Sequence, residues 1–160
     1  MNPGRVKMSK IKLGMSIVLF CASSVSFAVQ CYVTLVKAEC WKNYQIDLNI
    51  TQSDGKVVGK ILIPKDKMWG RIDFPCDAGD VLASDVSFDP PIWVNQKGMR
   101  YKSNRFWNLP AADPVNGSIF TINMCFPGDF AKLPVSTDTN SSCDCSMEGI
   151  PPVKNLNIAK

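Results

Sequence analysis

The chain contains no histidine, so the familiar imidazole-dependent routes to catalysis are closed or need unusual residues. The absence of imidazole removes Ser-His-Asp and Cys-His nucleophilic machinery and zinc sites built on histidine. No Gly-rich phosphate loop of the P-loop or dinucleotide type is present. Cys143, Cys145 and Met147 form C-x-C-x-M, soft sulfur ligands at alternate positions of the kind that suits Cu(I). In an oxidising compartment these cysteines pair and have no thiolate to offer. As a redox motif C-x-C is weak, because the better-known dithiol has two intervening residues.

Asp73, Asp77, Asp80, Asp85 and Asp89 place five carboxylates in one stretch. Two at a suitable separation would serve glycoside hydrolysis. Several together would attract calcium, but the D-x-[DN]-x-[DN]-G spacing is missing. Close to Pro75 and Gly79, Asp77 and Asp80 read more simply as side chains that satisfy turn backbone. The expectation is a non-enzymatic chain with no catalytic residue, metal or cofactor.

Binding chemistry is better represented. Pro90 to Pro110 reads PPIWVNQKGMRYKSNRFWNLP, with Trp93, Tyr101, Phe106 and Trp107 set among Lys97, Arg100, Lys102 and Arg105. Aromatic faces beside basic and amide groups suit sugars, anionic polymers or a protein partner. Trp93, Arg100, Tyr101, Arg105 and Trp107 are the expected binding residues. If 99–107 is a strand, Tyr101, Ser103, Arg105 and Trp107 share one face, and Arg100, Lys102, Asn104 and Phe106 the other. Charge and ring on both faces fit an edge strand.

The elements that position these residues read as strands. Tyr44, Ile46, Leu48 and Ile50 alternate with polar residues, and Ser53-Asp54-Gly55 is a turn signal before a return strand at 56–63. Residues 119–126 form another strand, with Phe120, Ile122, Met124 and Phe126 on one face. Residues 29–39 are a first strand, and 68–74, 80–88, 91–95 and 99–107 are further ones. Turn residues at short spacing point to a small antiparallel β-sandwich, immunoglobulin-like, at 29–126. Residues 127–160 read as an irregular tail rich in proline and serine.

Residues 1–28 read as a cleaved secretory leader. Arg5, Lys7, Lys10 and Lys12 precede the apolar run Leu13 to Phe20, and Ser26-Phe27-Ala28 supplies small residues at the −3 and −1 positions. Its apolar core is shorter than the about 20 residues of a spanning helix. Bulky Phe20 before Cys21 argues against lipid attachment there. Four of the 18 basic residues and none of the 14 acidic ones lie in the leader, so the remaining chain has 14 of each. That neutrality removes the charge argument for nucleic acid binding, and no transmembrane segment is expected after cleavage.

Six cysteines follow the leader: Cys31, Cys40, Cys76, Cys125, Cys143 and Cys145. An even number in an exported chain implies disulfides. The expected pairing joins Cys76 to Cys125 and ties Cys143 and Cys145 to Cys31 and Cys40. Cys31 and Cys40 are nine positions apart and face opposite sides of a continuous strand, which argues against bonding them to each other. Sequons stand at Asn49, Asn116 and Asn140 and matter only in a host that glycosylates secreted chains. The functional expectation is an exported interaction domain of the bacterial periplasm or extracellular space, with a protein partner. The alternatives are a carbohydrate-binding module and a secreted enzyme inhibitor.

Overall fold

A computed structural model describes residues 28–110, 119–138 and 140–153. Residues 1–27 of the leader, Cys21 among them, and the Asn116 sequon lie outside the described residues. Eight strands occur among those described: β1 (Ala28–Lys37), β2 (Gln45–Gln52), β3 (Val57–Ile63), β4 (Trp69–Asp77), β5 (Val81–Asp89), β6 (Tyr101–Lys102), β7 (Trp107–Asn108) and β8 (Ile119–Phe126). They form two sheets, one ordered β4-β1-β8 and the other β3-β2-β5-β6, with β7 also paired to β5. The all-β sandwich of the sequence reading is the observed architecture. One pairing differs from an antiparallel plan: β1 and β8 run parallel, with Val33 opposite Ile122 and Leu35 opposite Met124.

Alternation builds the core. Ile46, Leu48 and Ile50 point inward from β2, and Ile61 and Ile63 do so from β3. Their hairpin turns at Gly55, whose φ of 82° is one that glycine adopts without a Cβ penalty. Asp54 Oδ1 accepts the Lys56 N–H at 2.8 Å. One end of the sandwich is filled by rings. Trp41, in a 3₁₀ turn over Glu39–Trp41, lies 4.8 Å from Tyr44, 5.0 Å from Phe88 and 4.9 Å from Phe126. Where β3 crosses β4, Gly59 and Gly70 let the sheets close. A Cβ at Gly70 would meet Ile61 Cγ2 at 2.7 Å.

Lys37 ends β1 on the inward side and is buried. Its ammonium donates to the carbonyls of Tyr44 at 2.8 Å, Lys42 at 3.1 Å and Pro64 at 3.1 Å. Burial pulls its pKa below the usual lysine value, opposed by the Asp66 and Glu39 carboxylates.

Three disulfides are formed: Cys31–Cys76, Cys40–Cys143 and Cys125–Cys145. Three disulfides suit an oxidising environment outside the cytoplasm. The expected Cys76–Cys125 bond is replaced for a geometric reason. Cys125 lies between the inward Met124 and Phe126 and faces out of the sandwich, whereas Cys76 points into it beside Cys31. Cys143 bonds Cys40, one of its two expected partners, while Cys145 goes to Cys125 instead. The tail thus straps the outside of the three-stranded sheet. Among the described residues, no helix is long and apolar enough to cross a membrane.

Candidate functional site

Two of the expected strands in the aromatic-basic stretch take other forms. Residues 91–95 are a bend leading into a 3₁₀ turn at Val94–Gln96. Pro90 and Pro91 remove two ladder donors, and Gln96 Oε1 accepts the Trp93 N–H at 3.1 Å. Residues 99–107 give only the short β6 and β7, separated by a bulge at 104–106. Tyr101 pairs with Val86 and Trp107 with Leu82 on the same edge of β5. The bulge arises because Ser103 Oγ donates to Asp129 O at 3.0 Å and accepts the Arg105 N–H at 3.1 Å. β6 is also not a bare edge, since Ala131 N donates to Lys102 O at 2.9 Å and Ser103 bridges to Phe130.

The five expected binding residues therefore do not form one face. Tyr101 is buried and stacks on Phe88 at 5.7 Å between centroids. Its hydroxyl has no hydrogen-bond partner among the described residues. Arg100 lies across the outer face of the larger sheet and is occupied there. It forms an ion pair with Asp85. Its Nη1 reaches Asp47 Oδ1 at 3.3 Å and Ser87 Oγ at 3.1 Å, and its Nη2 reaches the carbonyls of Asp47 and Asp85 at 3.1 Å. Turning the Asn49 amide lets its oxygen accept from Arg100 as well, at 3.0 and 3.2 Å. Arg100 is an anchor for the loop before it. Asp85 and Arg100, drawn from the acidic and basic stretches, meet in this ion pair.

Two exposed patches remain within this stretch. The first is the loop tip: Trp93 is 64% exposed, Val94 94% and Met99 48%, with exposed Lys97 between them. The second is the bulge, where Phe106 is 68% exposed. Trp107 beside it is half-buried. Arg105 is held by Asp129 Oδ1 at 3.2 Å and lies 5.9 Å from the Trp107 ring centroid. Val94 and Met99 escaped the sequence reading because strands at 91–95 and 99–107 would have buried alternate residues. The double proline was the signal against that strand.

The carboxylates behave as turn and sheet residues. Asp80 Oδ2 accepts the Asp77 N–H at 3.2 Å and the Gln52 amide at 2.8 Å, and Gln30 bonds Asp73 at 2.8 Å. Cys143 and Cys145 are both disulfide-bonded, which leaves no thiolate in C-x-C-x-M for copper. Among the described residues, no three His, Cys, Asp or Glu side chains cluster as a metal site. No protein-family model matches the chain, and no curated protein matches it significantly.

Proposed function

We propose that this chain is an exported, non-enzymatic, immunoglobulin-like interaction domain of the periplasm or extracellular space, which binds a protein partner through its 92–99 loop. The supporting observation is the pairing of an apolar tip with a fixed base. Trp93, Val94 and Met99 stand in solvent, while Arg100, directly behind them, is fastened to two strands. A loop fixed before binding loses little conformational entropy on binding, and exposed tryptophan is the residue type most often at the energetic centre of an interface.

A carbohydrate-binding module would need Trp93, Tyr101 and Trp107 in an exposed row, and buried Tyr101 counts against it. A secreted inhibitor is the protein-partner case in which the bound protein is a hydrolase. Affinity capture from native envelope and culture fractions tests the proposal, comparing wild type with a Trp93→Ser, Val94→Ser double variant and with Phe106→Ser. A partner retained by wild type and Phe106→Ser but lost by the double variant is the expected result. Equal capture by all three, or no specific partner, would overturn it. Quenching of tryptophan emission by soluble glycans would favour the carbohydrate module.

A further inference from the structure

The outer face of the three-stranded sheet holds a different kind of site. Arg71 on β4, Thr34 on β1 and Asn123 on β8 are register partners and form one row across it. The tail after Cys143 passes over this row, and Thr34 in its centre is fully buried. Between tail and sheet lies a cavity of about 260 Å³, walled by Arg71, Thr121 and Asn123 from the sheet and by Met147, Ile150 and Val153 from the tail.

The guanidinium of Arg71 is only partly used. Its Nε donates to Thr34 Oγ1 at 2.7 Å, and its Cζ lies 5.6 Å from the Trp69 ring centroid. Neither Nη has a hydrogen-bond partner among the described residues, and none of the ion pairs there involves Arg71. Asp73, the next outward residue of β4, accepts from Gln30 instead. With Nε engaged, the free end of the fork presents two parallel N–H groups, the geometry that matches the two oxygens of a carboxylate. Thr121 and Asn123 add neutral hydrogen-bonding groups, and the tail side is hydrocarbon and thioether. The volume equals the share of about nine water molecules, below the ~300–1,000 Å³ of pockets for drug-sized ligands.

We propose that this cavity is a binding site for a small organic carboxylate with an apolar body, the carboxylate held end-on by Nη1 and Nη2 of Arg71 and the body lying against Met147, Ile150 and Val153. The site is independent of the 92–99 loop, and its fate does not depend on the partner proposed there.

The test is titration of the full disulfide-bonded chain with octanoate, octanamide and inorganic phosphate, followed by amide chemical shifts and by emission from Trp69 beside the guanidinium. Octanoate should bind saturably, with shifts centred on Thr121, Asn123 and Ile150. Octanamide, which has the same body without the charge, should bind at least about tenfold more weakly, and phosphate should not bind there. Arg71→Gln should show the same loss as octanamide. Arg71→Lys should fall between, because an ammonium cannot give the two parallel bonds. Failure of octanoate to saturate in the millimolar range would overturn the assignment. So would octanamide binding as well as octanoate, or phosphate competing with it. These comparisons use wild-type protein, so they decide the matter even if an Arg71 variant fails to fold.

Discussion

Replacing Lys37 by methionine keeps the length of a buried side chain and deletes its charge, which isolates the three-carbonyl clamp at the end of β1. The residue is 1% exposed. Two of its three acceptors keep a second donor without it: Asp66 N on Lys42 O at 3.0 Å, and Lys67 N on Pro64 O at 3.3 Å. Tyr44 O has no other donor among the described residues. A hydrogen bond to a charged group contributes about 1.5–3 kcal/mol, but the variant also avoids the several kcal/mol that burying an ammonium costs. These largely offset each other. What is left is the orphaned Tyr44 carbonyl, so Lys37→Met should lose about 1–3 kcal/mol, measured by urea unfolding with the disulfides intact. The pH dependence supplies an independent sign. Burial holds the folded pKa below the ordinary 10.5, so the folded chain releases this proton at lower pH than the unfolded chain. Between the two values the unfolded state binds more protons, and wild-type stability rises with pH relative to Lys37→Met. The contribution is absent below the folded pKa and complete above 10.5. A variant as stable as wild type would refute the clamp. A stability difference that shrinks as pH rises through that window would refute burial as the dominant cause of the shift.

The remaining expectations concern other parts of the sandwich. Tyr101→Phe should leave stability unchanged or raise it by up to about 1 kcal/mol, because the hydroxyl it removes is buried and unpartnered; a clear loss in thermal unfolding would show a partner there. Gly70→Ala should cost about 1–3 kcal/mol through its clash with Ile61, and chemical denaturation measures it. Arg100→Gln should speed tryptic cleavage after Lys97 while changing global stability little, since its ion pairs are partly exposed; unchanged cleavage would mean that the loop does not depend on this anchor. Replacing Cys40 and Cys143, 103 positions apart, should destabilise more than replacing Cys125 and Cys145, 20 apart. Chain entropy puts the two at about 4.7 and ~3 kcal/mol, and denaturation of the two double variants compares them.

Local patterning was legible wherever one strand face is wet. The β2–β3 hairpin follows from alternation and an Asp-Gly turn. β4 and β5 lie at 69–77 and 81–89, a few residues from the expected 68–74 and 80–88. Patterning failed where backbone donors are spent on side chains. Ser103 and Gln96 draw local N–H groups away from a ladder, and apolar content alone does not reveal that competition. The disulfides were more legible than the expected pairing used. With Phe120, Ile122, Met124 and Phe126 facing inward, Cys125 must face outward and cannot reach a cysteine on the inner side of β4. The same alternation puts Cys31 inward, where it does meet Cys76.

What alternation cannot show is a strand buried on both faces. Thr34 and Val36 occupy the outward side of β1, yet they are as buried as Val33 and Leu35. The cover is a segment more than a hundred residues downstream, with no regular structure of its own. It is held through Cys143 and Cys145 to two different parts of the fold. In sequence this cover looks like a loose end. In the fold it covers the row of Arg71, Thr34 and Asn123 and leaves Arg71 and Asn123 lining an open cleft between sheet and tail. The two basic residues chosen from their aromatic neighbourhood, Arg100 and Arg105, turn out to be neutralised by carboxylates of the same chain. Arg71, which stands among carboxylates in sequence, keeps the free end of its guanidinium. Ion pairing here follows proximity in space, Arg100 with Asp85 of β5 and Arg105 with Asp129 of the turn after β8, and not order along the chain.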